Sequence, residues 1–286
     1  MAASGRASRS SATIPSSLLA PSLLQISGTG NFSFVDQNKT DVQPVELIDI
    51  SVGEGTARAY GAVASACMTN ATGGDLRFTY TTLAYDRDGA DGTFLVSLAR
   101  NILVGVGMDV STTVSKFHTT PTEAQGVNYP VNCQSILAGN PKIASNGSCS
   151  GRGCCQASLL TEAFPLNGYS VVFNNLMSVM NNPLWVTNPC SLAMVVEKSW
   201  YNFSTADLYG DTSNKFPRGV PYVFDFAIRN VSCPADGLEP PDDYACVSGN
   251  STCVDVANGY VCKCLEHYEG NPYIRNGCYD IDEQAP

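Results

Sequence analysis

Histidine is scarce in this chain: His118 and His267 are the only two in 286 residues. A zinc site of mixed Cys/His type or a hydrolase using a His base would have to draw on one of them. His118 lies in the turn-rich stretch KFHTTPTE and His267 in a loop between cysteines, and no G-x-S-x-G stretch supplies a nucleophile elbow. Basic residues are also few, 16 against 26 acidic for a net charge of -10, and they form no run. Nucleic acids and anionic membrane surfaces need clustered Lys and Arg, so neither is expected as a partner. A run of about twenty apolar residues is missing, so no transmembrane helix is expected here, and membrane contact would come only through segments outside these residues. Also missing is C-x-x-C, the spacing that zinc knuckles and thioredoxin-like redox sites favour.

Cysteine itself is abundant. Twelve occur, and CSGRGCCQ places Cys149, Cys154 and Cys155 within seven residues. With metal and redox spacings absent, disulfides in an oxidising compartment are the remaining reading. Adjacent Cys154 and Cys155 rarely bond to each other, because the peptide between them would be strained, so each is expected to reach elsewhere. Pairing among Cys67, Cys133, Cys149, Cys154, Cys155 and Cys190 stays open. Asn-x-Ser/Thr acceptors at Asn31, Asn38, Asn70, Asn146, Asn202, Asn230 and Asn250 point the same way, toward a secreted glycoprotein.

A composition of 44% hydrophobic and 15% charged residues describes a folded domain. Residues 1–28 are the exception. Pro15 and Pro21 interrupt their only leucine-rich run, no signal-peptide pattern results, and the segment is read as disordered or as a wrongly assigned start. Residues 29–232 read as a β-rich, disulfide-rich domain. LRFTYTTLAYD and GTFLVSLARNILVGV are β-branched and aromatic runs around RDGADG, which reads as a hairpin turn. Asp86, Asp88 and Asp91 in that turn lack the full spacing and closing Glu of a calcium loop, so turn chemistry accounts for them. GYSVVFNNL, SLAMVVEKSWYNF and VPYVFDFAIR continue as strands, and Ala157–Phe164 is the best short helical candidate.

The last part is the most specific. Cys233, Cys246, Cys253, Cys262, Cys264 and Cys278 are separated by 12, 6, 8, 1 and 13 residues. Spacing alone permits fifteen connectivities. The pattern, with its NGYVCKC stretch, resembles an EGF-like module over residues 233–279. So small a module cannot bury enough apolar surface to fold alone, and cross-links of about 2–4 kcal/mol each make up the difference. The resemblance implies pairing of Cys233 with Cys253, Cys246 with Cys262, and Cys264 with Cys278. Residues 280–286 then resemble the truncated opening of a calcium-binding EGF-like module, with Asp280, Asp282 and Glu283 as part of a calcium site; no other cofactor is expected.

Taken together, GSCSGRGCCQ, NPCSLAMVVEKSWYNFSTADL, GVPYVFDFAIRNVSC and the whole YAC…YDIDE stretch resemble the extracellular region of plant wall-associated receptor kinases, from about Glu46 to Glu283. The resemblance implies a mainly β ectodomain on the cell-wall face of the plasma membrane that contacts pectic polysaccharide or oligogalacturonide. Full-length members continue into a membrane span and a Ser/Thr kinase. Neither H-R-D nor D-F-G occurs here, and the glycines at Gly105 and Gly107 lack a third glycine and the following lysine. The family's cysteine-rich opening with its IPYPFGI-like motif has no counterpart before Glu46. Met108 and Leu137 stand where relatives carry cysteine, as if a bonded pair had been lost together. Trp185, Trp200, Tyr201 and Tyr222 are the candidates for stacking on sugar rings. Glu239, Asp242 and Asp243 could in principle serve glycoside hydrolysis, but they occupy a proline-rich loop, a poor place to hold catalytic geometry, and no enzyme activity is expected. The alternative readings are a protein-interaction or decoy ectodomain that binds other receptor-like proteins through the EGF-like module, and a non-functional fragment of a longer receptor kinase.

Overall fold

The computed structural model describes residues 23–31, 40–69, 76–85, 94–116, 130–159, 169–229, 231–235, 237–256 and 259–281. The chain divides into two compact units, the larger comprising Pro21–Ile50 and Thr56–Phe226, the smaller Ser51–Gly55 and Ala227–Pro286. The smaller unit takes in the short strand Ile228–Arg229, which pairs with Gly259 and Tyr260.

Strands dominate. In chain order the larger unit contains β1 (Leu23–Asn31), β2 (Thr40–Pro44), β3 (Leu47–Ser51, its last residue in the smaller unit), β4 (Thr56–Gly61), β5 (Ala64–Met68), β6 (Leu76–Tyr85), β7 (Phe94–Val96), β8 (Asn101–Val106), β9 (Asp109–Lys116), β10 (Val131–Ile136), β11 (Cys154–Ser158), β12 (Tyr169–Phe173), the helix α1 (Leu176–Met180), β13 (Cys190–Glu197) and β14 (Val220–Phe226). The smaller unit adds β15 (Ile228–Arg229), β16 (Ser251–Val256), β17 (Gly259–Cys264), β18 (Tyr268–Gly270) and β19 (Cys278–Asp280).

One antiparallel ladder runs β10-β9-β12-β6-β5-β13-β8-β11, with β1 along β6 and β2 on β1. A second runs β3-β4-β14-β7. In β8 and β13 the residues NILVGV and CSLAMVV are buried without alternation, as expected of central strands covered on both faces. Edge strand β10 alternates instead, with Cys133 and Ser135 inward and Gln134 and Ile136 outward. Ile102, Val104, Val106, Leu192, Met194, Val196, Phe203 and Leu208 form the main core. Where β8 begins, the buried Asn101 amide donates to the carbonyls of Ser97 and Val223 and accepts from the Val223 N–H, which ties β8 to β14 with no polar atom left over.

The cysteines set the ends of this architecture. Cys133 on β10 bonds to Cys155 on β11, Cα to Cα 5.6 Å, so the first and last strands of the ladder's main path are joined. Cys154, whose side chain alternates to the other face of β11, bonds to Cys149 at a Cα separation of 4.5 Å. Gly151 and Gly153, at φ of 92° and 82°, supply the left-handed backbone that turns this loop. Cys67 and Cys190 are direct partners on β5 and β13 and are bonded, 4.1 Å between Cα atoms. Gly105 lies beneath the closing bridge: a Cβ there would sit 3.1 Å from the Cys155 sulfur and 3.3 Å from that of Cys133. The glycine makes room for a cross-link.

The smaller unit holds the sheet β15-β17-β16 and the β18-β19 ribbon. Its bridges are Cys233–Cys253, Cys246–Cys262 and Cys264–Cys278, at Cα separations of 5.7, 5.3 and 5.5 Å. Tyr244 stacks on Tyr260, and the Tyr273 hydroxyl accepts from the Cys262 N–H at 3.0 Å. No cysteine in the chain is left free.

Four sequence expectations need correction. The runs flanking RDGADG form no hairpin: β6 belongs to the large ladder and β7 to the small one, while Asp86, Asp88 and Asp91 lie outside the described residues. Ala157 and Ser158 finish β11 rather than open a helix, and residues 160–164 lie outside the described residues. The strand expected over SLAMVVEKSWYNF stops at Glu197, where the Trp200 N–H turns back to the Glu197 carbonyl at 3.0 Å. Finally, β1 begins at Leu23, inside the segment read as disordered or as a wrongly assigned start, because Pro21 precedes the Leu-Leu-Gln-Ile pairing with β6 rather than interrupting it.

Candidate functional site

Helix α1 spans five residues and depends on its surroundings. Asn175 caps it by accepting from the Ser178 N–H at 3.3 Å, and its amide donates to the Ser178 hydroxyl at 2.7 Å. Leu176, Val179 and Met180 pack on Ala66, Met68, Leu76 and Trp185. That packing turns Met177, Ser178 and Asn181 toward the outer face of β9 and β10, and the intervening space is a groove of about 390 Å³. On the strand side, Gln134 lies opposite Ser111 and Ile136 opposite Asp109.

The groove carries one carboxylate and is otherwise lined by uncharged residues. Asp109 Oδ1 accepts from the backbone N–H groups of Leu137 at 2.9 Å and Ala138 at 3.2 Å, which fixes the carboxylate beside the groove. The Asn174 amide donates to Ser111 Oγ at 3.1 Å, and the Thr113 hydroxyl donates to Asn174 Oδ1 at 2.6 Å. Ile136 and Met177, 53% and 50% exposed, supply apolar surface on opposite walls. Among the described residues the lining holds no Lys, Arg or His. Oriented hydroxyls and amides, one held carboxylate and two apolar walls suit a polyhydroxylated, uncharged ligand.

The aromatic candidates scatter. Tyr222 is fully buried, with Phe224 4.5 Å away between ring centroids. Trp185 is half-buried in the α1 cluster. Tyr201 points inward and donates to Asp207 at 2.8 Å, and burial together with the Asp207 charge holds its phenol above the ordinary value. Trp200 alone is open to solvent, 42% exposed, with one side leaning on Phe216 at 5.8 Å. None of the four lines the groove.

Cations near Trp200 are largely committed. Lys215 pairs with Asp207, and Arg218 pairs with Glu46 while lying 4.4 Å over the Tyr60 ring. Arg58 bridges Glu197 at 2.7 Å and Asp49 at 3.0 Å. Among the described residues the one cluster of metal-ligand type, Cys67, Cys190 and Asp211, has both sulfurs consumed in a disulfide. Asp280 closes β19 opposite Tyr268, while Asp282 and Glu283 lie outside the described residues. Glu239, Asp242, Asp243 and His267 are exposed and not brought together with any nucleophile by the contacts seen, and His118 lies outside the described residues. Of the glycosylation candidates, Asn31 ends β1, Asn146 and Asn202 are exposed, and Asn250 is half-buried; Asn38, Asn70 and Asn230 lie outside the described residues.

Sequence reasoning missed the groove. Its walls come from residues 109–111, 134–136 and 175–181, ordinary polar and apolar residues that only the topology brings together.

No protein-family profile matches the chain, and no solved structure matches it. Its homologues are wall-associated receptor kinases and related proteins. It is 37% identical over 158 residues to wall-associated receptor kinase 2 of Arabidopsis thaliana, covering 54% of this chain and 20% of that protein. Against wall-associated receptor kinase 1 of the same plant it is 29% identical over 187 residues, 65% of this chain and 23% of that one. Against wall-associated receptor kinase-like 3 the figures are 27% over 205 residues, 66% and 24%. The chain thus spans about a fifth to a quarter of the length of these relatives. This homology indicates an extracellular, wall-side region of a receptor-like protein. Among the described residues no helix is long and apolar enough to cross a membrane.

Proposed function

We propose, from this homology to wall-associated receptor kinases, that the chain is a non-enzymatic recognition region that contacts pectic polysaccharide through the groove between α1 and the β9–β10 edge. The observation that carries the reading is the lining: a carboxylate fixed by two backbone amides, amides and hydroxyls beside it, and no cation among the described residues. A free polyuronate would meet Asp109 and an acidic protein with nothing to neutralise it. Methyl-esterified galacturonate, or the neutral sugars of pectic side chains, would instead donate hydroxyls to Asp109 and Gln134 and lay C–H faces on Ile136 and Met177. Calcium enters this reading only through the segment at Asp280, Asp282 and Glu283, which would open a calcium-binding EGF-like module beyond the EGF-like residues 233–279.

Binding of the whole chain to methyl-esterified and to de-esterified oligogalacturonides, each with and without a chelator, tests it. Binding to the esterified form that survives chelation and is weakened in Gln134→Ala supports the reading; failure of both forms to bind sinks it. A second reading rests on the smaller unit, which exposes Leu265, Ile274, Tyr279 and Ile281 at 42–47%. Apolar residues on a disulfide-held module suit contact with another receptor-like protein.

A further inference from the structure

Trp200 is a large aromatic exposed on a rigid support, and the sugar-binding reading above does not use it. The residues after it alternate: Tyr201 turns inward to Asp207, Asn202 is exposed, and Phe203 is buried at 3%. Trp200 closes the turn from Glu197 and Asn202 follows two residues later, both exposed, with Cα atoms no more than about 7 Å apart. Asn202-Phe203-Ser204 is an acceptor for N-linked glycosylation. The Asn202 side chain makes no hydrogen bond among the described residues, so its amide nitrogen is available. The indole is held in place, since Phe216 backs one side at 5.8 Å and the turn from Glu197 fixes its backbone.

We propose that Trp200 is the docking face for the first N-acetylglucosamine of a glycan carried on Asn202. In the secretory route the oligosaccharide passes from its lipid diphosphate carrier to Asn202 Nδ2, which gives up one hydrogen as the lipid diphosphate leaves. The sugar attached there reaches back over the ring two residues earlier, and its apolar C–H face covers indole surface that is otherwise in water. The glycan then acts as a covalently attached part of the fold and withdraws Trp200 from contact with wall polysaccharide. The other described acceptors lack this arrangement. Two residues before Asn31 stands Thr29, two before Asn146 stands Ala144, and two before Asn250 stands Ser248. Asn146 does a different job, accepting from the Thr205 N–H at 2.7 Å and the Thr205 hydroxyl at 3.0 Å through an oxygen that glycosylation leaves intact.

The proposal rests on the extracellular reading, and one experiment separates the two. The whole chain is secreted from a eukaryotic host, occupancy of each acceptor is read by glycopeptide mass spectrometry, and melting temperatures are compared for wild type, Trp200→Ala, Asn202→Gln, the double variant and Asn146→Gln. The expected result is an occupied Asn202 and a fall of about 2–4 °C for Asn202→Gln. In the Trp200→Ala background that fall shrinks to under about 1 °C, and trimming the glycan to one N-acetylglucosamine leaves the melting temperature unchanged. Additive effects of Trp200→Ala and Asn202→Gln overturn the proposal, as does an empty Asn202 beside other occupied acceptors. A secreted chain with no acceptor occupied overturns the glycoprotein reading as well.

Discussion

Leu137 and Met108 face each other across the end of the β9–β10 pairing, with the Leu137 N–H donating to the Met108 carbonyl at 2.8 Å. Both side chains are buried, at 1% and 3%, and they pack in the same core cluster. These are the two positions at which the wall-associated receptor kinase family is expected to carry cysteine. Directly opposed residues of a hydrogen-bonded antiparallel pair lie about 5.5 Å apart, a separation that a disulfide spans.

The double variant Met108→Cys/Leu137→Cys should therefore form a seventh bridge spontaneously. Closing a loop of this length is worth up to about 3–4 kcal/mol in the chain-entropy picture, less what the lost core side chains contributed. Thiol titration of the secreted variant should find no free cysteine, with the two introduced thiols joined to each other in a non-reducing peptide map. Two alkylatable thiols, or scrambled partners, would show that the backbone pairing is not as described.

Gly105 should resist even the smallest side chain. A methyl group there would stand 3.0 Å from Thr112 Cγ2 and press on both sulfurs of the Cys133–Cys155 bridge. Gly105→Ala should cost about 1–3 kcal/mol, a typical penalty for overpacking. Thermal unfolding reads it directly, and an unchanged melting temperature would mean that the bridge lies elsewhere.

The groove predicts a division between Gln134 and Asp109. Gln134 projects outward and Ser135 inward, so Gln134→Ala should weaken oligosaccharide binding by about five- to tenfold, the worth of one hydrogen bond, with little effect on stability. Asp109→Asn should also bind less well, and it should destabilise the protein because its carboxylate accepts from two backbone amides at the end of β10. Isothermal titration and thermal melts on the same samples separate the two effects.

Tyr201 gives a pH signature. Burial, with the Asp207 charge behind it, raises the phenol's pKa in the folded state. An unfolded tyrosine ionises near pH 10, so above that point the unfolded chain releases a proton that the folded one keeps, and stability falls as pH rises. Below it this contribution is complete. Tyr201→Phe should flatten the decline in melting temperature above about pH 10; an equally steep decline in the variant would assign it to other groups.

Much of the fold was legible in the sequence, and the reasons for the rest are physical. β-branched runs such as SVVF and YVFDF declared strands because their side chains suit a pleated, buried surface. Which strands pair is a different matter. LRFTYTTLAY and FLV are neighbours in the chain yet lie in separate ladders, a choice set by burial against partners far away in sequence. The core cysteines behaved likewise. Adjacent Cys154 and Cys155 had to part, but only the strand order shows Cys155 closing the ladder while Cys154 turns back to Cys149. The candidate groove draws on three distant segments and carried no local signal. Trp200 was visible as an aromatic, but its neighbour Tyr201 looked equal to it until the inward hydrogen bond to Asp207 distinguished them.

The account depends on every thiol being spent in a cross-link, and non-reducing peptide mapping of the secreted protein after alkylation tests that most directly. The predicted result is no alkylated cysteine, with Cys155 joined to Cys133 and Cys154 to Cys149. Alkylation of Cys154 or Cys155, or an exchange of their partners, would open the ladder and contradict the fold on which the site is built.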